Sequence, residues 1–293
     1  MTSHTVRVWG SAPSAGGPPR PCFPGSLPAQ RASLPQPVPG PGRGSQASRR
    51  AEPMTRRVTA LADMRWPQVS RGLRRVLVVP VGSLEQHGPH LPLDTDTRIA
   101  VALAQRVCTG HGGVALAPAI AIGASGEHAA FPGTLSVGSA ALATCLIELG
   151  RHSSLHWQAL LLVNGHGGNT EALAVATDRL RYEGRVCRAW HASLPGGDAH
   201  AGRTETSIML TLAPRTVRMT AATIGNTRPI GELMPALQAG GVRAVSPNGV
   251  IGDPRGASAA EGRRLLAGLA AGLSETLRGL LGDLSAPIAS WSR

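Results

Sequence analysis

The 293-residue chain contains no lysine, only four cysteines and few aromatic side chains. All 29 basic residues are therefore arginine, a bias typical of a GC-rich coding sequence that says nothing about chemistry. The five tryptophans and the single tyrosine are too dispersed to form a stacking platform for nucleic acid. The cysteines show neither a CxxC pair nor framework spacing, which argues against a zinc knuckle or a disulfide scaffold and favours a reducing cytoplasm. They are Cys22, Cys108, Cys145 and Cys187.

Long apolar runs are absent as well. No stretch approaches the ~18 consecutive apolar residues that a membrane span needs, and the N-terminus lacks the apolar segment of a signal peptide. The formal charge of +12 could attract nucleic acid or a membrane surface, but six arginines against one acid lie within residues 1–53. The remainder carries 23 arginines minus 16 acids, or +7, an ordinary excess. We expect a soluble protein with neither a nucleic-acid nor a membrane partner.

Residues 1–53 differ in composition from the rest of the chain. They hold 11 of the 24 prolines together with abundant Gly, Ser, Ala and Arg. Such a composition buries too little apolar surface to offset the entropy lost on ordering. Two interpretations stay open: a disordered extension, or a mis-annotated start with translation beginning at Met54. The rest divides into a main domain, residues 54–285, and a short tail, residues 286–293.

From Val76 onward, short β-branched runs alternate with helical stretches. This rhythm is expected of parallel strands joined by crossover helices, so the sequence predicts an α/β domain. The predicted strands are residues 76–81, 114–120, 159–163 and 186–190. The predicted helices are residues 98–108, 140–152, 170–183, 204–212 and 259–281.

The segment PVGSLEQHGPHLPLDTDT follows the first predicted strand and carries the first candidate site residues. Glu85 and His87 are two residues apart, so an extended backbone points them the same way. The carboxyl end of a parallel strand is where open α/β sheets build their sites. Glycine and prolines then force a turn, which lets the later acids Asp94 and Asp96 fold back towards the first pair. A shared metal could hold that arrangement.

Two later segments repeat this logic. LLLVNGHGGNTEAL places His166 after an apolar strand, with Asn169 expected to cap the next helix. PGGDAHAGRTETS places His200 and Glu205 on either side of a small-residue loop that leads into a helix. Histidine and carboxylate ligands without cysteine suit Zn, Mn or Fe(II) and argue against an iron–sulfur cluster or Cu(I).

Each of these residues also has a structural interpretation. A single histidine near a strand end is more often a packed, hydrogen-bonded residue than a metal ligand. Metal binding is favoured here only because several such residues occur together. Asp94 and His90 could merely satisfy the turn. Glu127 and His128, in the loop ASGEHAAFPGT, could face a substrate or could be ordinary loop polar groups.

Three separated motifs together carry a family resemblance. VPVGSLEQHGPHLPLDTD, VNGHGGN and HAGRTETS, in this order, resemble the creatininase family of metal-dependent amidohydrolases over roughly Leu73 to Leu281. The segments IGASGEHAAFPGTLSVG, AVSPNGVIGDP and ASAAEGRR look most like the branch that processes the mycofactocin precursor peptide. The resemblance implies a three-layer α/β/α sandwich with a mostly parallel central sheet, a two-metal site and a homo-oligomer.

Carried over position by position, the resemblance implies that Glu85 and His166 bind one ion, that His87 binds the other, and that Asp96 bridges them. Where creatininase has a glutamate after the strand-end histidine, this chain has Gly168. We expect Glu205 to take that place. The implied ions are Zn and/or Fe(II), with Mn as an alternative.

The same resemblance implies a peptidase that hydrolyses a ribosomal peptide before its crosslinked, decarboxylated C-terminal Val-Tyr pair and releases a pyrrolidinone core. His200 is the matching general acid, Glu205 joins it in catalysis, and Glu127 and His128 are the candidates for substrate binding. One rival keeps the metals and takes a small cyclic or formyl amide. A rival from another class is a non-catalytic nucleic-acid binder that uses residues 1–53.

Overall fold

The computed structural model describes residues 58–72, 74–194 and 196–285, so the predicted extension and tail lie outside the described residues. Its centre is a four-stranded parallel sheet with strand order β2-β1-β3-β4. Val76 pairs with Ala159 and Val81 with Asn164, so the two central strands run in full register and end at the same level. The strands are β1 (Val76–Val81), β2 (Val114–Leu116), β3 (Ala159–Asn164) and β4 (Val186–His191).

Seven α-helices surround this sheet in the described residues. Short 3-10 helices at Gly126–His128 and Gly167–Asn169 lie at the carboxyl ends of the strands. The α-helices are α1 (Trp66–Arg71), α2 (Thr95–Cys108), α3 (Ser139–Ser153), α4 (Thr170–Tyr182), α5 (Arg203–Leu212), α6 (Ile230–Val245) and α7 (Ala259–Asp283).

Alternation along the central strands divides the core into two layers. In β1, Val76 and Val78 pack into one cluster with residues of α2, α5 and α7, whereas Leu77 and Val79 pack into a second cluster with α3 and α4. Both faces of the sheet are therefore covered, which explains why β1 and β3 are uninterrupted apolar runs. The predicted three-layer α/β/α architecture is confirmed.

Two predicted boundaries are wrong. The second strand ends at Leu116 rather than at residue 120, and Ile120 pairs with β1 again through an isolated bridge to Val81. Pro118 has no N–H to donate to a ladder, which accounts for the early end. Helix α2 begins at Thr95 rather than at residue 98, so Asp96 lies in its first turn.

Sequence reasoning missed two helices, the short α1 and the longer α6. Pro235 lies inside α6, and Gly241 takes a non-helical conformation with φ of +70°. Both features weaken a helical pattern, which is why that stretch was not recognised. In the part of the chain that the structure describes, no helix has the length and apolar character required to cross a membrane.

Candidate metal centre

The candidate ligands come together beyond the carboxyl ends of three strands. Glu85 and His87 follow β1, His166 follows β3, and His200 follows β4. Parallel strands end at one edge of the sheet, so segments far apart in sequence meet there. Glu85 and His87 are fully buried, and His166 and His200 are less than a tenth exposed.

Asp96 stands between two of the histidines and offers a different oxygen to each. Its Oδ1 lies 3.0 Å from Nε2 of His87, and its Oδ2 lies 3.1 Å from Nδ1 of His166. The hydroxyl of Ser83 donates a 2.8 Å hydrogen bond to Oδ2 and fixes the carboxylate. A carboxylate held in this way has the geometry of a bridging ligand.

Hydrogen bonds to main-chain carbonyls establish which ring nitrogens carry protons. A carbonyl oxygen can only accept, so Nδ1 of His87 donates to the carbonyl of Glu85 over 3.1 Å. In the neutral ring, Nε2 then holds a lone pair, and this lone pair faces Asp96 and, at 3.8 Å, Oε2 of Glu205. Lone pairs that face one another require a cation between them, either a proton or a metal ion.

The same assignment holds for two more histidines. Nε2 of His166 lies 3.0 Å from the carbonyl of Ala124, which leaves Nδ1 directed at Asp96. Nε2 of His200 donates to the carbonyl of Gln86 over 2.9 Å, which leaves Nδ1 3.9 Å from Oε1 of Glu85. One ring nitrogen tied to a carbonyl and the other directed at the site is the usual arrangement of metal-binding histidines.

Glu85 supplies the clearest sign that a cation belongs here. Both of its carboxylate oxygens are buried, and among the described residues neither has a partner in hydrogen-bonding geometry, although Nε2 of His166 lies 3.0 Å from Oε2 and Nε2 of His128 lies 3.3 Å from Oε1. A buried carboxylate without partners is costly unless a positive charge compensates it. The residues present therefore fit a bound metal ion.

Three compact groups of possible ligand atoms occur in the described residues, each with its atoms within 4.8 Å of one another. His166 belongs to none of the three, although its nitrogens contact Glu85 and Asp96. The groups are Glu85, His87 and Asp96; His87, His200 and Glu205; and Glu85, His128 and His200.

Glu205 reaches the centre from the first turn of α5. Its Oε2 accepts a 2.6 Å hydrogen bond from the backbone N–H of Ala201, a buried alanine with φ of +52°. That conformation costs an alanine about 1–2 kcal/mol, so the loop is held by its surroundings. Asp198 accepts from the N–H groups of Arg203 and Thr204 and caps the helix that carries Glu205.

Mutual burial shifts the pKa values of this cluster. Burial opposes charging of His87, but the facing carboxylate of Asp96 outweighs it and raises the pKa of His87 to about 10. Burial raises the pKa of Glu205 to about 7, with His87 opposing. Burial, with His87 next, holds the pKa of His200 well below its ordinary value, so that ring stays neutral. Without a metal ion, protons lie between these groups, and a bound metal ion would displace those protons.

Glu127 and His128 also reach the centre, from the short helix Gly126–His128. Oε1 of Glu127 lies 3.3 Å from Nε2 of His166, and Nε2 of His128 lies 3.3 Å from Oε1 of Glu85. A Cβ atom added at Gly168 would lie 2.3 Å from Oε1 of Glu127. The Glu127 carboxylate thus fills the space where a side chain at position 168 would begin.

Asn169 does not make the predicted helix cap. It stands at the N-cap position of α4, but its side chain makes no capping hydrogen bond. Its Oδ1 accepts from Ala124 N–H, and its Nδ2 donates to the carbonyl of Gly82 and to Asn164. The side chain instead links the loops that follow β1 and β2 to the last residue of β3.

His90 and Asp94 lie outside the ligand groups found in the described residues. His90 is buried, and its Nε2 lies 2.9 Å from the Thr206 hydroxyl. Asp94 pairs with Arg98 one turn along α2 at 2.7 Å. Sequence reasoning missed Ser83 and Gln86, whose only signal was their position beside Glu85 in the first motif.

A cavity of about 850 Å³ opens beside the cluster and gives a substrate access to it. His166 and Glu205 are among the residues that line it, together with Arg228 and Asp253. A mixture of main-chain groups, small residues and a few charges suits a ligand larger than a single amino acid.

Comparisons with known proteins agree with this geometry. The creatininase family model, described as creatinine amidohydrolase, matches residues 62–277. The chain is 51% identical over 208 residues to the mycofactocin precursor peptide peptidase of Mycolicibacterium smegmatis, covering 69% of this chain and 84% of the relative.

Solved structures give the same result. A mutant creatininase of Zn-Zn type superposes with a TM-score of 0.64 at 25% identity, covering 76% of this chain and 98% of that chain. A manganese form of creatininase superposes with a TM-score of 0.62 at 26% identity, with the same coverage. The family resemblance of the three sequence motifs is confirmed, and the chain belongs to the creatininase family.

Proposed function

We propose that this protein is a metal-dependent peptidase of mycofactocin biosynthesis, which hydrolyses the modified precursor peptide before its crosslinked C-terminal Val-Tyr pair and releases the pyrrolidinone core. As a member of the creatininase family, the chain is a hydrolase of amide bonds. The observation that carries the peptide assignment is the 51% identity over 208 residues to a precursor peptide peptidase, of which the match covers 84%.

We propose two ions with distinct ligand sets. Glu85 and His166 would hold one ion, His87 and Glu205 would hold the other, and Asp96 would bridge them. The support is geometric: Asp96 gives one oxygen to each histidine, Glu205 lies beside His87, and Glu85 offers a ligand atom within 4.8 Å of those of His87 and Asp96. Nitrogen and oxygen ligands suit Zn and Fe(II), with Mn also possible. When bound, such ions supply an acidic water and polarise the amide carbonyl.

The chain itself must move a proton from the attacking water to the leaving amide nitrogen. We assign this transfer to His200, and the support is that its Nδ1 holds a lone pair while Nε2 donates to the main-chain carbonyl of Gln86. Nδ1 therefore accepts the water proton first and donates it to the leaving nitrogen afterwards. Glu205 belongs to the same compact group as His200, and its carboxylate, when ionised by a bound metal ion, would stabilise the protonated ring.

Incubation of metal-loaded protein with the modified precursor peptide tests the proposal. Mass spectrometry should detect the released core, together with the peptide shortened by its last two residues. His200→Ala should abolish release while the metal content stays unchanged. A protein that leaves the peptide intact but opens creatinine or a formyl amide would instead be the small-amide hydrolase, the alternative function.

A homo-oligomer remains a prediction from the family resemblance, and light scattering on the purified protein measures its subunit number. The free thiols of Cys108, Cys145 and Cys187 match the proposed cytoplasmic location.

A further inference from the structure

Gln86 is a buried amide between two metal-site residues, and all of its hydrogen-bonding groups have partners. Its Oε1 accepts from the N–H of Gly88 over 2.8 Å, and its Nε2 donates to the carbonyl of Gly249 over 3.1 Å. A backbone N–H can only donate and a backbone carbonyl can only accept. The two main-chain groups therefore fix which end of the amide is oxygen and which is nitrogen.

This orientation determines the proton position on His128. The second hydrogen on Nε2 of Gln86 points to Nδ1 of His128, 2.9 Å away, so Nδ1 must accept. A neutral imidazole that accepts at one nitrogen carries its proton on the other. The contact of 3.1 Å between Nε2 of Gln86 and Nε2 of His200 is not a hydrogen bond, since His200 already donates there to the Gln86 carbonyl.

His128 therefore differs from the other three histidines of the centre. In His87, His166 and His200, one ring N–H donates a hydrogen bond to a main-chain carbonyl, and the other ring nitrogen directs its lone pair at the site. His128 instead directs an N–H at the site. Its Nε2 lies 3.3 Å from Oε1 of Glu85. Distances alone place Glu85, His128 and His200 close enough to bind an ion, but the hydrogen bonds make His128 a donor.

The loop that follows α6 is built around this amide. Gly249 has φ of +78°, and a Cβ atom there would lie 1.9 Å from Oε1 of Gln86. Its carbonyl is held by a turn in which Gly249 N–H donates to Ser246 over 3.1 Å. The segment AVSPNGV thus presents one main-chain carbonyl to Gln86. The proposed catalytic mechanism gives this segment no other role.

We propose that Gln86 is a positioning residue that holds His128 as the Nε2–H tautomer, so that His128 directs an N–H rather than a lone pair at Glu85 and never binds a metal ion. The N–H of His128 then lies 3.3 Å from Oε1 of Glu85 and places a positive dipole beside that carboxylate without occupying a ligand position. Donors of this kind orient ligating carboxylates and tune their metal affinity. The inference rests on the proposed metal site.

Nitrogen-15 NMR of the zinc-loaded, histidine-labelled protein tests the tautomer directly, with the His128 signals identified by their loss in His128→Asn. The expected result is a protonated Nε2 and a bare Nδ1. In Gln86→Glu the new carboxylate can only accept, so Nδ1 of His128 should become protonated. A wild-type His128 with a bare Nε2, or an unchanged Nδ1 in Gln86→Glu, would overturn the inference.

Counting zinc provides a second readout that does not depend on substrate. His128→Asn should bind the same number of zinc ions per chain as the wild type, with an affinity about 10- to 100-fold weaker, as is usual when a supporting partner is lost. Loss of one whole ion would make His128 a ligand and refute the assignment. Failure of the wild type to bind zinc would instead refute the proposed metal site itself.

Discussion

The close contact between α5 and α7 makes one substitution unusually informative. Gly262 lies on the buried face of α7, and a Cβ atom there would be 1.8 Å from the carbonyl oxygen of Ser207. Gly268, further along the same helix, is exposed and has nothing within 4 Å of its added Cβ. Gly262→Ala and Gly268→Ala thus each add one methyl group to the same helix. The first methyl group meets the backbone of α5, and the second faces open space.

The expected magnitudes follow from the geometry. Either alanine gains about 1 kcal/mol of helix propensity over glycine. At Gly262, the backbone of α5 must also retreat by about 1.2 Å to reach even a tight 3.0 Å contact, because main-chain atoms have no other rotamer to adopt. Overpacking of that kind costs about 3 kcal/mol, the upper end of its usual range. Gly268→Ala should therefore be the more stable of the two variants by about 3 kcal/mol.

Urea denaturation followed by circular dichroism measures both variants against the wild type. Gly268→Ala should raise the free energy of unfolding and Gly262→Ala should lower it, with equal m-values. Because α5 carries Glu205, Gly262→Ala should also weaken zinc binding, whereas Gly268→Ala should not. Equal shifts of the two variants in one direction would refute the argument that the helices touch backbone to backbone.

Three further predictions concern charge. Asp96→Asn should lower zinc content by at least one ion per chain without unfolding the protein, since the bridging carboxylate is lost; full occupancy by elemental analysis would contradict this. Because the pKa of metal-free His87 is raised to about 10, zinc binding at pH 8 should release a proton, and affinity should rise with pH; calorimetry in buffers of different ionisation enthalpy measures this release. Contacts with Arg151, Arg179 and Arg185 lower the pKa of Glu183 to about 2 from 4.5. The stabilising contribution of Glu183 is therefore present above pH 4.5 and is lost as the pH falls through 2. Between these pH values, acid titration of Glu183→Gln should show a smaller loss of stability than titration of the wild type.

Much of the fold could be predicted because its strands are buried on both faces. β1 and β3 are continuous apolar runs bounded by polar loops, and sequence reasoning placed them within one residue. Prediction failed where local signals conflict with tertiary contacts. Helix α6 holds a proline and a positive-φ glycine, and its partner is the short helix that carries His128 rather than a core strand.

The candidate site divides in the same way. The residue types and their order already indicated Glu85, His87, Asp96, His166, His200 and Glu205 as one set, because carboxylates and histidines recurred after predicted strands. The hydrogen bonds and close contacts among these residues depend on distances across the sheet edge. No local sequence pattern contains those distances. Asn169 illustrates this: it is the N-cap residue by position, yet its side chain bonds to other loops.

The sequence by itself determined the fold class, the family and the chemical character of the centre, because these depend on which residues occur and at what spacing. Only the tertiary structure decided which oxygen of Asp96 faces which histidine, that Glu127 fills the space beside Gly168, and that Gln86 determines the proton position on His128. A hydrogen bond depends on the direction of both partners, and those directions exist only after the loops beyond the sheet have packed together.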